Sequence, residues 1–545
     1  MKKLDKKKIQ DIYALTPLQE GMLFYYLKNP AGDLYFEQLN LRISGSIEIE
    51  IFKKAWNFVV ANNELLRTVF RWRKVKEPVQ MVLKVHHPEI RVLDSRHPVP
   101  GVLPRSGLEG APAGCFDLTQ VSFRVTLCKI EEEQYEMIIS NHHILYDGWS
   151  NGIILREFFA AYEALAAGKE PQRPVKTKFK EYIKWIKGRD QGEQANYWEE
   201  YLAGFEVPTV LSVKRPSGGE VGAAGNFKTR LEKNFREKLE AFAKRHKVTP
   251  ASLLYTAYGI LLQKYNNSKD VIFGATSAGR SAKIKGIEDM VGLFINTLPL
   301  RVESESGENV SDLLGKVNEA VQDREQYETT PLVNIKNYSP IDSSEELFDS
   351  IMVIENYPID TAALQGRRLK IESFSMAEMT NYDLTVAITL SDGIEINFIY
   401  NACLFSSGVV ERLAAHFGGL LREMIAAPGR EISALEMLSG QEKKQLLIDF
   451  NFRETDYPTS KTIPRLFASQ VEKYPDSIAL VGHRSAAVEQ AACEVHELTY
   501  KQLDEETNLL AGYLLEKGVG ENELIAIMAG RTIEMITGIL SILKT

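Results

Sequence analysis

The chain has 545 residues, of which 44% are apolar and 25% charged, so it is long enough for three or four domains with substantial cores. Its 65 basic and 73 acidic residues give a net charge of −8, which argues against proteins that collect nucleic acid or anionic membranes through a global positive field. No apolar run reaches the roughly 18 residues of a membrane span, and the basic N-terminus lacks the apolar stretch of a secretory signal. We expect a cytoplasmic protein with no nucleic-acid or membrane partner.

The first elements are predicted by local signals. The sequence TPLQ at residues 16–19 combines a Thr cap, a Pro at the first helical position and a Gln three residues after the cap, which predicts a helix from Pro17 to about Leu27. Alternation of Leu39, Leu41 and Ile43 predicts a half-buried strand, and a helix follows over about 51–62.

Two β-hairpins are predicted further along the chain. Alternating residues at 121–127 and the strand at 135–140 form the first. The second surrounds Asp392-Gly393, a strong signal for a tight turn. Between them, the polar segment 176–225 is interpreted as a connector between lobes, and Thr249-Pro250 begins a helix through about Tyr265. Strands and helices mix without strict βαβ order, which indicates an α+β fold.

The segment SNHHILYDGWS at residues 140–150 carries the chemistry. The preceding strand delivers His142 and His143 to its C-terminal end, Gly148 allows a tight turn, and Ser150 is expected to cap the next helix. Because the unperturbed pKa of histidine is about 6.5, one ring there can act as a base near neutral pH. Asp147 can orient that ring or form an ion pair with an arginine.

The two histidines also raise the possibility of a metal site, which we disfavour. Neighbouring side chains on a strand point to opposite faces, so His142 and His143 are not expected to converge on one ion. The sequence has no HExxH, and its four cysteines form no CxxC pair. We expect one histidine to face a cavity and the other to face the core.

This segment resembles the HHxxxDG motif of nonribosomal peptide synthetase condensation domains, members of the chloramphenicol acetyltransferase-like superfamily. Other motifs of that family follow in the expected order over about residues 9–440. They are LTPLQEGMLF (15–24), ELLRTVF (64–70), FKEYIKW (179–185), GLFINTLPLR (292–301) and FDSIMVIENYP (348–358). One departure is Asn63, where the family usually has His in a non-catalytic position.

The resemblance implies two chloramphenicol acetyltransferase-like lobes in a V-shape, with a tunnel in which two phosphopantetheine arms meet. The implied reaction joins a donor acyl or peptidyl thioester to the amine of an acceptor aminoacyl thioester, both carried by partner carrier domains. The chain itself is expected to bind no cofactor. Its expected partners are the upstream donor and downstream acceptor peptidyl carrier domains and the adenylation domain of the same module.

The resemblance also assigns site residues. His143 is the expected catalytic residue, as a base or as a group that steadies the tetrahedral intermediate, and backbone N–H groups near Gly148 are expected to hold oxyanion charge. His142 and Asp147 are expected to be structural, with Arg280 as the first choice of partner for Asp147 and Arg301 as the second. Trp149 and Asn356 are weaker candidates for lining the substrate site.

The last part of the chain resembles the start of a synthetase adenylation domain, because LTYKQL (498–503) matches its first core motif and LKT (543–545) begins its second. The glycine-rich phosphate loop and catalytic Lys of that family are absent, so adenylation activity is not expected. The predicted division is an N-terminal lobe at 1–175, a C-terminal lobe at 176–445, a linker at 446–461, and an incomplete α/β segment, the truncated adenylation start, at 462–545.

Alternative functions come from other members of the same fold. An epimerisation domain shares the histidine motif, but its usual position after a carrier makes it less favoured here. A non-catalytic domain that recruits a carrier or a tailoring enzyme is the alternative outside catalysis, and the intact HHxxxDG argues against it. An acyl-CoA-dependent acyltransferase remains a further possibility, against which the adenylation-like tail argues.

Overall fold

The structure, a computed structural model, describes residues 6–30, 32, 34–94, 116–214, 224–342, 344–355, 368–378, 380–390, 393–451, 458–484 and 495–545. Contacts between residues divide the chain into two compact units, Met1–Lys443 and Lys444–Thr545. Asp392 of the predicted tight turn lies outside the described residues. Among the described helices, none is long and apolar enough to cross a membrane.

The first part of unit 1 contains strands and helices that confirm the capping-box helix and the first hairpin. In chain order the elements are β1 (Ile9–Ala14), α1 (Pro17–Lys28), β2 (Phe36–Ser44), α2 (Ile49–Asn62), β3 (Thr68–Arg71), β4 (Val79–Leu83), β5 (Glu89–Asp94), β6 (Phe123–Glu131), β7 (Gln134–His142) and α3 (Gly148–Ala166). At the start of α1, the Thr16 side chain accepts from the Gln19 N–H, and the Gln19 side chain accepts from the Thr16 N–H.

The second part of unit 1 confirms the predicted helix at residue 250 and the two strands that flank Asp392-Gly393. Its elements are α4 (Phe179–Lys187), α5 (Gln191–Tyr201), β8 (Ala224–Arg230), α6 (Phe235–His246), α7 (Pro250–Asn266), β9 (Asp270–Ser277), β10 (Asn296–Glu303), α8 (Val310–Asp323), α9 (Leu332–Asn337), β11 (Ser350–Glu355), β12 (Lys370–Glu378), β13 (Leu384–Leu390), β14 (Ile394–Asn401), α10 (Ser407–Ala426) and α11 (Gly440–Lys444). Strands β13 and β14 pair antiparallel, as a hairpin requires.

The prediction that residues 176–225 form a connector is wrong in one respect, because the first part of this segment forms the two helices α4 and α5. The segment is polar overall, yet Phe179, Tyr182 and Ile183 recur at helical spacing and are buried, and so is Trp198 on α5. The high average polarity of this segment obscured the helical spacing of its few apolar residues. Residues 215–223 lie outside the described part of the chain.

Unit 1 is built on two large sheets, each with its own core. The N-terminal sheet has the strand order β12-β2-β7-β6-β5, and the C-terminal sheet has the order β10-β9-β11-β13-β14-β8. Strands β1, β4 and β3 form a smaller sheet. Helices α2 and α3 cover the N-terminal sheet, where Trp56 stacks on Phe158 with ring centroids 4.7 Å apart. Helices α7, α8 and α10 contribute to the core beside the C-terminal sheet.

One strand crosses between the two parts of unit 1. Strand β12 comes late in the chain but pairs antiparallel with β2, so that Phe374 lies opposite Leu41 and Met376 opposite Leu39. It forms the edge of the N-terminal sheet. The predicted lobe boundary at residues 175/176 therefore does not describe this strand, which belongs to the sheet built by the first lobe.

Unit 2 begins with a π-helical turn at Gln445–Asp449 and contains α12 (Ile463–Lys473), β15 (Ile478–His483), β16 (Val495–Thr499), α13 (Tyr500–Glu516) and α14 (Ile533–Lys544). Strands β15 and β16 pair antiparallel. A second capping box starts α13, where Thr499 and Gln502 exchange the same pair of bonds as at α1. The core of this unit is small and centres on Leu498, Leu503 and Ile533.

Candidate active site

His143 lies at the end of β7, where the backbone is held from two sides. The His143 N–H donates to the Tyr35 carbonyl at 2.8 Å, and the His142 N–H donates to the Ser122 carbonyl at 3.1 Å. From α1, the buried Gln19 side chain donates to the Ile144 carbonyl at 3.0 Å. The first family motif therefore contributes to the site by fixing the loop that follows the histidines.

The imidazole of His143 has a hydrogen-bond acceptor and a carboxylate oxygen beside the same ring nitrogen. Its Nδ1 bonds to the Tyr146 carbonyl oxygen at 2.9 Å and lies 3.1 Å from Glu37 Oε1, at ion-pair distance. The carbonyl requires a proton on Nδ1, so the neutral ring carries its lone pair on Nε2. The ring is only 6% exposed, yet it lines a cavity of about 870 Å³. A base with a fixed tautomer at a cavity wall is suited to accepting a proton from a bound substrate.

His142 has a different environment, in agreement with the expectation that the two rings diverge. Its Nδ1 accepts from the Ile144 N–H at 3.1 Å, and its ring packs edge-on against Tyr26. Burial, with a smaller contribution from the charge of His143, lowers the pKa of His142 to about 3. His142 is therefore neutral at physiological pH and contributes packing and one backbone hydrogen bond.

Asp147 ties the start of α3 to the second part of unit 1. Its Oδ1 accepts from the Ser150 N–H at 3.1 Å and from the Ser150 hydroxyl at 2.8 Å. Its Oδ2 accepts from the Phe294 N–H at 3.1 Å. Arg280 Nη2 lies 3.1 Å from Oδ1, and the two side chains are 7% and 2% exposed. The first choice of partner for Asp147 thus matches the geometry.

The N-cap of α3 differs from the expectation that Ser150 would supply it. Asp147 is the N-cap, and the Ser150 hydroxyl donates to Asp147 at 2.8 Å and accepts from the Gly292 N–H at 3.1 Å. Both residues can cap a helix, and the contact with the segment before β10 decides between them. Gly148 is consequently the first residue of α3, and it lines the cavity beside His143.

The turn before Arg280 requires glycine. Gly279 has φ +67°, and a Cβ there would lie 1.8 Å from the Phe294 carbonyl oxygen. This close approach brings the Arg280 guanidinium over the Phe294 ring, 4.1 Å from its centroid, and within reach of the Ile287 and Met290 carbonyls. These contacts orient the Arg280 side chain toward Asp147.

Arg301, the second choice of partner, is not at this site. It forms a two-bond ion pair with Asp270, at 2.9 and 2.8 Å, and donates to the carbonyls of Tyr201 and Ala203. Arg301 lies on β10 directly opposite Ile272, within the paired strands β9 and β10. The prediction failed because the pairing of two distant strands, and not the spacing along the chain, brings Asp270 to this arginine.

The two candidate substrate-lining residues have different outcomes. Trp149 lies outside the set of described residues that line the cavity; its indole N–H donates to the Glu288 carbonyl at 3.3 Å and Arg280 lies over its ring. The structure thus places Trp149 beside Glu288 and Arg280, and its role in lining the substrate site stays a prediction. Asn356 lies outside the described residues.

The cavity is formed by both parts of unit 1. Its described lining includes residues from α1 and the β7–α3 loop on one side, and from β9, β10, α9 and β11 on the other. Apolar and aromatic groups such as Met22, Tyr25, Phe348 and Tyr382 alternate with the acidic residues Glu328 and Asp349. Burial raises the pKa of Asp349, which Lys214 partly offsets from 3.1 Å.

Glu37 is the site residue that sequence reasoning missed. It lies on β2 directly opposite Asn141 on β7, and it is 1% exposed. A signal was present, because Glu37 shares the alternating register of Leu39, Leu41 and Ile43, which all face the core. An acidic residue at a buried strand position needs a specific partner.

Comparisons with known proteins show the family to which the chain belongs. A family model described as "Condensation domain" matches residues 9–447. The chain belongs to the condensation-domain family. A second model, described as "AMP-binding enzyme", matches residues 467–545.

The relatives of this condensation domain include large peptide synthases, and the chain matches a part of each. Gramicidin S synthase 2 of Brevibacillus brevis is 34% identical over 100% of the chain and 12% of the relative. Tyrocidine synthase 2 of Brevibacillus parabrevis is 34% identical over 100% of the chain and 15% of the relative. The chain thus spans less than a fifth of the length of these two relatives.

Solved structures confirm the fold class. A four-domain nonribosomal peptide synthetase bound to AMP and glycine gives a TM-score of 0.67 at 19% identity, covering 98% of this chain and 41% of that one. The first condensation domain of the calcium-dependent antibiotic synthetase gives a TM-score of 0.65 at 17% identity, covering 79% of this chain and all of that one. The condensation domain is therefore an α+β protein with the predicted chloramphenicol acetyltransferase-like fold.

Proposed function

We propose that this condensation domain forms an amide bond between a donor acyl or peptidyl thioester on one carrier domain and the amine of an aminoacyl thioester on another. The supporting observation is His143, which lines a cavity of about 870 Å³ with its Nδ1 bonded to the Tyr146 carbonyl and 3.1 Å from Glu37 Oε1. Elements from both parts of unit 1 line that cavity, so two substrates have room to meet beside one base.

The proposed chemistry balances without an added reagent. The acceptor nitrogen attacks the thioester carbonyl, a C–N bond forms, and the C–S bond of the tetrahedral intermediate then breaks. His143 Nε2 takes a proton from the attacking nitrogen and passes it to the departing phosphopantetheine sulfur, which leaves as a thiol. Because a thioester is already activated, alignment of amine and carbonyl supplies much of the rate, which amounts to several kcal/mol through effective molarity.

The oxyanion of the intermediate is proposed to form near Gly148. As the first residue of α3, Gly148 has a backbone N–H without an i−4 partner inside the helix, and the helix dipole adds partial positive charge at this end. Gly148 lines the cavity together with His143. Asp147 and Arg280 have a structural role in this proposal, since their ion pair fixes the residue that precedes the helix.

The test is intact-mass spectrometry of carrier-bound products after mixing the protein with separately loaded donor and acceptor carriers. His143→Ala is expected to lower the rate of product formation by about 10²–10⁴, the usual contribution of a positioned base. His87→Ala is the matched control, because His87 is exposed and bonds to Asn57 at 2.7 Å. Full product formation by His143→Ala would overturn the proposed role.

Two further measurements distinguish the proposed function from epimerisation and from recruitment. If a single loaded aminoacyl carrier gains one dalton in D₂O without amide formation, the protein is an epimerisation domain. If carriers bind but no pair of thioesters gives product or exchange, the recruitment function replaces the proposal.

A further inference from the structure

We propose that Glu37 is a positioning residue for His143, which holds the ring with Nδ1–H directed inward and stabilises the imidazolium as the ring takes a proton. This inference rests on the proposed function, since it concerns the base of that reaction. It adds a charged group from β2 to a site that the motif alone places on β7 and the loop after it.

The geometry is a closed ring of four side chains and one carbonyl. Glu37 Oε1 lies 3.1 Å from His143 Nδ1, and Glu37 Oε2 accepts from Asn141 Nδ2 at 2.8 Å. Asn141 Oδ1 in turn accepts from the Tyr146 hydroxyl at 2.8 Å, and the Tyr146 carbonyl accepts from His143 Nδ1 at 2.9 Å. Three hydrogen bonds and one ion-pair contact therefore connect these groups, and the ring closes on the nitrogen opposite the reacting one.

The two oxygen atoms beside Nδ1 act differently on the ring. The Tyr146 carbonyl is neutral and sets the tautomer, whereas the Glu37 carboxylate adds a negative charge that favours the protonated ring. Glu37, Asn141 and Tyr146 are 1%, 2% and 0% exposed, so water screens this charge little. Asn141 and Tyr146 keep the carboxylate oriented, because both side chains are buried and their amide and hydroxyl groups are hydrogen-bonded to each other and to Glu37.

Other charged and titratable groups lie on the elements packed around His143, and most of them are engaged elsewhere. His142 is the neighbour on β7 and is neutral, because its pKa lies near 3. Asp147 is committed to Arg280 and to the start of α3. Across the cavity, the Glu328 carboxylate accepts from Ser281 N and Gly279 N, at 3.0 and 3.2 Å. Tyr25, Tyr35, Tyr182 and Tyr382 also line the cavity, as do Asp349, which pairs with Lys214 at 3.1 Å, and the charged residues Lys336, Glu345, Glu346 and Asp383.

The experiment compares Glu37→Gln with wild type in the loaded-carrier assay, as kcat, KM and the pH profile of kcat/KM. The same acceptor amine is used in every arm, so its own titration is common to all of them. Glu37→Gln keeps the size and the bond to Asn141 but removes the charge. We expect kcat to fall about 10–100-fold with KM within about twofold, and the acid limb of the profile to move about one pH unit lower, since a lost carboxylate weakens the base.

A control variant and a variant that retains the charge are compared with Glu37→Gln. Glu136→Gln is the matched control, because Glu136 lies on β7 opposite Arg42, five residues before Asn141, and should leave kcat and the profile unchanged. Glu37→Asp retains the charge one methylene further from the ring, so kcat should fall several-fold while the acid limb stays within about 0.3 pH unit of wild type. If Glu37→Gln does not fold, Glu37→Asp carries the test, and a wild-type kcat overturns the inference.

The outcomes also separate this inference from the proposed function. Loss of activity in His143→Ala with an unchanged Glu37→Gln overturns the role of Glu37 alone. A uniform loss in Glu37→Gln, with the acid limb unmoved, shows a merely structural role and also overturns it. Full activity in His143→Ala overturns the function on which the inference rests.

Discussion

Replacing Asp147 with Asn tests whether the ion pair with Arg280 holds the active-site loop. The carboxylate accepts a backbone N–H at each oxygen, from Ser150 at Oδ1 and from Phe294 at Oδ2. Either orientation of the Asn amide therefore places its NH₂ group against an N–H donor. The change also leaves Arg280, 7% exposed, without its counter-ion.

The expected loss is about 3–5 kcal/mol in the free energy of unfolding, the usual cost of removing one partner of a buried pair. Asp270→Asn is the control, since the Asp270 side chain is 26% exposed and Arg301 keeps a second carboxylate, Glu303, at 3.6 Å, so that about 1 kcal/mol is expected. The two variants thus differ in the exposure of the mutated carboxylate and in whether the arginine keeps another carboxylate.

Urea unfolding followed by tryptophan fluorescence measures the effect. All five tryptophans lie in unit 1, at positions 56, 72, 149, 185 and 198, so this signal reports that unit alone. Product formation in the loaded-carrier assay should fall with stability, because the start of α3 carries Gly148. A loss for Asp147→Asn within 1 kcal/mol of the loss for Asp270→Asn would refute the reasoning.

Two further predictions use the same unfolding assay. The pKa of His142 is about 3 in the folded protein and about 6.5 in an unfolded chain, so the unfolded state binds the extra proton between these values and stability falls as pH falls. From pH 6.5 to 5 wild type should lose about 2 kcal/mol more than His142→Asn; equal losses would contradict this. Trp56→Ala, at a fully buried ring stacked on Phe158, should cost about 3–5 kcal/mol, and a cost below 1 kcal/mol would show that the core closes over the cavity.

Much of the fold was predictable because its signals are local. The capping box at Thr16 and Gln19, the Thr249-Pro250 helix start and the strands around Asp392-Gly393 are encoded within a few residues, and each element forms as expected. The position of His143 at a strand end followed from the same kind of reasoning.

The remaining features depend on pairings between distant segments. Asp147 rather than Ser150 caps α3 because Gly292 engages the Ser150 hydroxyl. Arg280 rather than Arg301 reaches Asp147 because Asp270 is the cross-strand neighbour available to Arg301. Glu37 reaches His143 because β2 pairs with β7 in one particular register. The periodicity of apolar residues within a single segment does not predict these contacts between segments.

The return of β12 to the N-terminal sheet has a consequence for building chimeric synthetases. A cut at residue 175 would leave the first fragment with β2 as an open edge along Phe36–Ser44, and would carry its covering strand away on the second fragment. Open edges of this kind promote association between chains. Exchange of the first lobe between condensation domains should therefore carry residues 370–378 with it, so that the grafted piece is defined by its sheet and not by one continuous stretch of gene.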